Sequence, residues 1–156
     1  MIRKATKEDL EFIHSVLGDK EIWSATRDDG LPKVYPKQYA EGLILNPNIH
    51  FLIDDKYAVF VIHPESTSHS CQFHGYVLAQ GRGEYSREVG HEAIEWVFKN
   101  TSMLKLIVWV PEIHKSVYRH AVDMGFKVEG LSTKSILIDN VLYDRWLLGL
   151  NKESRR

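Results

Sequence analysis

Four stretches of the chain carry apolar residues three or four positions apart, which is the spacing of one helix face. The first stretch follows Thr6, a candidate N-cap, and stops at Gly18, a residue that commonly follows a helix. The spacing predicts four helices, marked in turn by Leu10, Ile13 and Leu17; by Tyr39 and Leu43; by Val89, Ala93, Trp96 and Val97; and by the segment KSVYRHAVDMGF.

Short apolar runs separated by turn-forming residues predict the strands. HFLIDDKYAVFVIHPE reads as two strands joined at DDK, CQFHGYVLA as a third, and KLIVWVP as a buried central strand. KVEGLSTKSILIDNVLYDRWLLGL predicts two strands around a turn at Asp139 and Asn140, and MIRKA is a candidate short first strand. WSATRDDGLPKVYP is rich in turn residues, so we expect a loop there.

The predicted order, (β)ααβββαβαββ, is that of an α+β or mixed α/β fold. We expect a central, twisted, mostly antiparallel sheet flanked by about four helices. One pair of strands, FHGYVLA and KLIVWV, is expected to be parallel, because the helix Val89–Phe98 joins them in a right-handed crossover. Residues 1–150 form one predicted domain, and residues 151–156 are predicted to be a frayed tail.

Composition narrows the class of protein. The chain has 156 residues, of which 44% are hydrophobic and 26% charged, as in a soluble globular domain. Its net charge of −1 gives no reason to expect binding to nucleic acid or to an anionic membrane. Cys71 is the only cysteine, which excludes an intramolecular disulfide and favours a reducing compartment. We therefore expect a cytoplasmic protein without a signal peptide.

The segment AQGRGEYSREVGHEAIEWVFKN, from Ala79 to Asn100, places a glycine- and arginine-containing loop before a helix. Backbone N–H groups at a helix N-terminus bind oxyanions, and Arg82 and Arg87 could add charged hydrogen bonds. Gly90, expected in the first turn, would let the backbone approach such a ligand. A simple turn with solvated arginines remains the alternative. The P-loop and dinucleotide-binding patterns are absent.

The motif from Arg87 to Glu92, REVGHE, resembles the acyl-CoA-binding motif of the Gcn5-related N-acetyltransferases (GNAT superfamily), [QR]-x-x-G-x-[GA]. IVWVPEIHKSVYRHAVDMGFKVEG, KSILIDNVLYDRWLLGL and IRKATKEDLEFI resemble further elements of that family in the same order. The resemblance implies that acetyl-CoA is the co-substrate, with its pyrophosphate on the loop. It assigns cofactor binding to Val77, Leu78, Ala79, Arg82, Arg87, Glu88, Val89, Gly90, His91 and His114.

The same resemblance implies transfer of an acetyl group to an amine, on a protein N-terminus, a lysine or a small molecule. His74 shares a strand face with Tyr76 and is a candidate catalytic residue, although packing also explains it. Ala121 occupies the place of the family's general-acid tyrosine, so Ser116 and Tyr118 become the candidates for that role. No metal site is expected, because the histidines lack metal-binding spacing.

A second interpretation is a protein with this fold that has lost catalysis and serves as a binding or structural component. Two residues favour it: Glu92, where the family has a small residue beside the phosphates, and Ala121. The acceptor amine and the oligomeric state, including a homodimer, are left open. The acceptor pocket is expected to come from WSATRDDGLPKVYP and the closing hairpin, where Tyr143 and Asp144 either line it or pair across the hairpin.

Overall fold

The computed structural model describes residues 1–155. The strands are β1 Arg3–Lys4, β2 His50–Ile53, β3 Ala58–Pro64, β4 Ser70–Val77, β5 Lys105–Pro111, β6 Lys127–Ile138 and β7 Val141–Asn151. The helices are α1 Leu10–Leu17, α2 Lys20–Thr26, α3 Lys37–Ile44, α4 Glu84–Asn100 and α5 Lys115–Asp123. Short 3-10 turns occupy Lys7–Asp9, Ala79–Gly81 and Lys152–Ser154.

All seven strands form one sheet in the order β1-β2-β3-β4-β5-β7-β6. Neighbouring strands are antiparallel except β4 and β5, which are parallel and are joined by α4. The prediction of a mostly antiparallel sheet with one parallel crossover pair is therefore confirmed. β6 is the outermost strand at one edge of the sheet. The homodimer stays a prediction.

Two hydrophobic cores cover the two faces of the sheet. One core packs α4 and α5 on residues such as Cys71, Phe73, Leu106 and Val110. The other packs α1, α2 and the buried Tyr35 on residues of β2 and β3. The alternation of side chains along each strand sends successive residues into opposite cores, so β4 and β5 contribute to both faces.

Residues 1–155 contain five α-helices, one more than expected, because α2 extends into the start of the predicted loop. WSATRDDGLPKVYP was expected to be loop throughout, but its first four residues belong to α2. Asp19 caps this helix by accepting hydrogen bonds from the backbone N–H groups of Glu21 and Ile22. Ile22 and Trp23 are buried, and their burial outweighs the turn-forming residues that follow.

The C-terminal segment is tied to α4 as far as the structure describes it. Arg155 donates hydrogen bonds from Nε and Nη2 to Glu95 Oε1 at 3.0 and 2.7 Å. The predicted fraying of residues 151–156 stays a prediction for Arg156, which lies outside the described residues. Within residues 1–155, no helix is both long and apolar enough to cross a bilayer.

Candidate functional site

A gap opens in the middle of the sheet between β4 and β5. Their ladder has three registered pairs, from Ser70↔Lys105 to Gln72↔Ile107. β4 nevertheless continues to Val77 and β5 to Pro111, each held by its other neighbour. Over these final residues the two strands diverge, so their facing backbone groups have no ladder partner across the gap.

The N-terminus of α4 lies just beyond this gap, a few residues after β4 ends. The first hydrogen bond of the helix runs from the Arg87 N–H to the Gly83 carbonyl at 3.3 Å. The N–H groups of Glu84, Tyr85 and Ser86 come before it, and none has an acceptor among residues 1–155. Together with the helix dipole, they form a cluster of donors suited to an anion.

Two glycines shape this helix start. Gly83 has φ 95°, a left-handed conformation that glycine adopts at little cost, and a Cβ built on it would meet nothing within 4 Å. Gly81 passes so close to Tyr57 that a Cβ added at Gly81 would lie 2.7 Å from the Tyr57 Cβ. The chain therefore turns tightly at Gly81 and leaves open space at Gly83, beside the free N–H groups.

Asp54 anchors the helix start to the sheet. The Tyr85 hydroxyl donates to Asp54 Oδ2 at 2.6 Å, and Oδ1 accepts from the N–H groups of Lys56, Tyr57 and Ala58. Burial of Asp54 opposes its ionisation, but these hydrogen bonds outweigh burial and hold its pKa below the usual value. Desolvation and the bond to the Asp54 carboxylate raise the pKa of Tyr85 to about 12, so it stays a donor at neutral pH.

The expected position of Gly90 is wrong. The helix begins at Glu84, five residues before Val89, so Gly90 is its seventh residue and lies outside the first turn. A Cβ at Gly90 would lie 2.5 Å from Met124 Cε, so this glycine permits close packing of α4 on the segment that follows α5. The signal that could have located the helix start was the pair Gly81 and Gly83 around Arg82.

Glu88, Val89, His91 and Glu92 of the REVGHE motif lie beyond the first turn of α4. Glu92 Oε2 accepts a hydrogen bond from the Ile2 N–H at 3.0 Å, so it points towards the chain start. His91 Nδ1 lies 3.3 Å from Arg155 Nη1, Val89 is buried, and Glu88 is exposed. The conflict between Glu92 and a bound phosphate, on which the second interpretation relied, is therefore absent from this geometry.

The two arginines of the loop differ in their partners. Arg82 Nη1 contacts Glu21 Oε1 on α2 at 2.6 Å, with both side chains about half exposed. Arg87 is exposed on the first turn of α4 and forms no ion pair within residues 1–155. Arg87 is therefore free to meet an anion, whereas Arg82 would have to exchange its carboxylate partner.

His74 lies in the open part of β4, on the face that carries α1, α2 and α3. Its neighbour Phe73 enters the core on the opposite face, as alternation requires. The His74 ring hydrogen-bonds Gln72 at 3.1 Å and stacks on Tyr76, with ring centroids 6.4 Å apart. Burial lowers the pKa of His74 to about 4, with His63 adding to the effect, so the imidazole is neutral at physiological pH.

The residues predicted on α5 do not converge on His74. The Tyr118 ring packs on Trp146 at a centroid distance of 6.1 Å, on the core face opposite to His74. Ser116 is exposed, and Ala121 is buried in that same core. His114 precedes α5, and its Nε2 is buried without a hydrogen-bond partner among residues 1–155.

Tyr35 is a residue that the sequence analysis did not single out. Its ring packs edge-on against Trp23 at 5.0 Å, and its hydroxyl is buried without a partner among residues 1–155. Burial raises its pKa to about 12.

Within residues 1–155, no three His, Cys, Asp or Glu side chains come together as a possible metal site.

Known proteins resemble this chain in structure. No family model and no curated protein matches its sequence. The spermidine N-acetyltransferase of Vibrio cholerae, in complex with CoA and spermine, aligns with TM-score 0.80 and 16% identity over 98% of this chain and 95% of its own. The ribosomal-protein-alanine N-acetyltransferase of Brucella melitensis aligns with TM-score 0.81 and 16% identity over 97% and 99%. Over nearly its whole length, this chain therefore has the fold of the Gcn5-related N-acetyltransferases.

Proposed function

We propose that this protein transfers an acetyl group from acetyl-CoA to an amine. The observation that carries the proposal is the gap between β4 and β5 beside the unpaired N–H groups of Glu84, Tyr85 and Ser86. Beyond the last registered pair, the strand edges have backbone groups free to bond an extended chain, next to a donor cluster for phosphate. The names of the two structural neighbours describe N-acetyltransferases, one of them bound to CoA.

The residues present fit coenzyme A. Its pyrophosphate would accept hydrogen bonds from the N–H groups of Glu84, Tyr85 and Ser86, with Arg87 adding positive charge. The open space at Gly83 leaves room for phosphate oxygens. The pantetheine arm would lie along the unpaired edge of β4, which ends in the segment 77–79. The unpartnered Nε2 of His114 is a candidate hydrogen-bond partner for that arm.

Bound acetyl-CoA would supply a thioester whose carbonyl carbon is open to attack by an amine. Transfer forms a C–N bond to the acceptor and breaks the C–S bond, and the proton lost by the amine balances the thiol that leaves. His74 lies in the open part of β4 as a neutral imidazole, able to accept a hydrogen bond from the attacking amine. The proposal gives no role to Ser116 or Tyr118, nor to Glu88, Val89, Gly90 and His91.

The rival interpretation, a binding protein without catalysis, now rests on Ala121 alone. Glu92 no longer argues for it, because that carboxylate bonds to the Ile2 N–H. Ala121 is packed in the core and supplies no proton. Binding of CoA without turnover of any amine would favour the rival, whereas release of thiol in the presence of an acceptor would favour the enzyme.

Calorimetric titration of acetyl-CoA into the protein tests the proposal. Acetyl-CoA at 100 times its dissociation constant should stabilise the fold by about 2.7 kcal/mol in a thermal melt. Arg87→Gln should weaken binding by about threefold to tenfold, the effect of one exposed charge-assisted contact to phosphate. Lys99→Gln is the matched control, because Lys99 is exposed at the other end of α4. Absence of any acetyl-CoA binding by the wild type would overturn the proposal.

A further inference from the structure

Arg145, on β7, is a half-buried arginine without a carboxylate partner. Its Nε donates to the Ser135 Oγ at 3.0 Å, and its guanidinium carbon lies 4.8 Å from the centroid of the Trp109 ring. It forms no ion pair with any of residues 1–155, whereas Arg3 and Arg155 each bind a carboxylate at 2.7 Å. The stacking and the Ser135 bond hold the group in place and leave both Nη atoms without a protein acceptor.

The location of this guanidinium relates it to the gap. Gln72 and Ile107 are the last registered pair of β4 and β5, so two residues further along each strand His74 and Trp109 face the same side of the sheet. Trp109 lies in the diverging part of β5 and carries the guanidinium of Arg145 on its ring. Arg145 and His74 therefore occupy opposite sides of the gap on one face, the face opposite to α4 and α5.

The nearby carboxylates are committed elsewhere. Asp144 accepts a hydrogen bond from the Lys134 N–H at 2.8 Å, and Glu112 accepts one from the Asp144 N–H at 3.4 Å. Alternation along β7 places Asp144 on the face opposite to Arg145. The His74 imidazole is neutral, whereas the Arg145 guanidinium is charged and has two Nη atoms without an acceptor among residues 1–155.

We propose that Arg145 binds an oxyanion of the acceptor, so that the acceptor is an amine that also carries a carboxylate. The planar fork of a guanidinium matches a carboxylate with two parallel hydrogen bonds, and its fixed orientation reduces the entropy lost on binding. A polycation such as spermine would meet like charge at this position. The inference rests on the proposed acetyl transfer and names the class of its acceptor.

Matched acceptors test the inference directly. Acetylation of alanine and β-alanine is compared with that of their carboxamides, of aminoethyl phosphate and of spermidine, by release of free thiol. Each acceptor is also titrated by calorimetry into the protein saturated with CoA. The wild type should favour the acid over its amide by about tenfold to a hundredfold, the contribution of one partly buried charge-assisted pair. Stronger use of aminoethyl phosphate than of the acids would overturn the assignment of a carboxylate.

Variants separate this inference from the proposed function. Arg145→Gln should remove the preference for acid over amide, and Arg145→Lys should keep part of that preference. Arg119 is an exposed arginine of α5, so Arg119→Gln should keep all of the preference. Acetyl-CoA affinity should be unchanged in all three. Equal use of acid and amide by the wild type, a preference for spermidine, or a preference that survives Arg145→Gln would overturn the inference. Loss of acetyl-CoA binding by the wild type would instead overturn the proposed function.

Discussion

At the scale of single residues, Glu92 distinguishes the enzyme from the protein that has lost catalysis. We expect Glu92→Ala to leave the acetyl-CoA affinity within twofold of the wild-type value. Glu92 lies in the third turn of α4, and its carboxylate accepts a hydrogen bond from the Ile2 N–H. The fold should lose less than about 1 kcal/mol, since the side chain is half exposed. Calorimetry and urea denaturation check both values. A tenfold gain in affinity would mean that Glu92 repels the phosphates after all.

Gly90 explains why a residue-level motif misled the sequence analysis. A glycine is favoured both where a ligand approaches the backbone and where two elements pack closely, and the two cases look identical in a sequence. Here the second case applies, because Met124 Cε would lie 2.5 Å from a Cβ at Gly90. Contacts between residues so far apart in the chain depend on the tertiary fold, so the motif alone could not place the helix start.

At the scale of elements, the order of strands and the crossover were predictable, whereas the boundaries of α4 and the existence of α2 were not. The strands FHGYVLA and KLIVWV are neighbours and parallel, as the intervening helix required. The buried face of α4 begins with Ser86, a small polar residue, so apolar periodicity became visible only from Val89. α2 was missed because its seven residues carry only two buried apolar side chains.

The loop after α2 is attached to the tip of the β6–β7 hairpin by one residue. The Asp29 carboxylate accepts hydrogen bonds from the N–H groups of Asp139 and Asn140, each at 2.8 Å, and the Asp29 N–H donates to the Leu137 carbonyl. The bonds from Asn140 and Asp139 hold the pKa of Asp29 below its usual value. The two segments expected to form the acceptor pocket are therefore joined at this point.

We expect Asp29→Ala to raise the KM for the acceptor while leaving the acetyl-CoA affinity unchanged, because the free N–H groups of α4 lie elsewhere. Hydrogen exchange should become faster at Asp139 and Asn140, whose N–H groups lose their acceptor. Asp29→Asn is the matched control, since it keeps one of the two acceptor oxygens and should fall between the wild type and Asp29→Ala. An unchanged KM together with unchanged exchange would show that this contact does not shape the pocket.

At the scale of the whole molecule, the gap depends on how the sheet is divided. β4 pairs with β3 from Cys71 to its end at Val77, and β5 pairs with β7 over its full length, so each strand keeps a partner where the two diverge. Each half of the sheet is also covered by helices on one face or the other. The molecule can therefore hold an opening at its centre without breaking either core.

Partly buried histidines link the stability of the whole molecule to pH. Burial lowers the pKa of six of them below the usual value: His50, His63, His74, His91, His114 and His120. Each binds a proton more readily in the unfolded chain than in the folded one. The unfolded state therefore binds more protons below its histidine pKa of about 6.5, so stability is greatest above that pH and falls as pH drops.

We expect the free energy of unfolding to decline from pH 7 to pH 4.5, with His74 giving the largest single contribution because its pKa falls to about 4. One histidine that is protonated only in the unfolded chain adds up to about 1.4 kcal/mol per pH unit to the slope. Urea denaturation at a series of pH values measures the slope directly.

His74→Gln should reduce this slope by about 1 kcal/mol per pH unit below pH 6, whatever its effect on stability at pH 7. His69 is exposed, so His69→Gln serves as the matched control and should leave the slope unchanged. An identical slope in the wild type and in His74→Gln would mean that His74 is protonated in the folded protein as readily as in the unfolded chain. His74 would then carry a positive charge on the acceptor face, where the proposal expects a neutral imidazole.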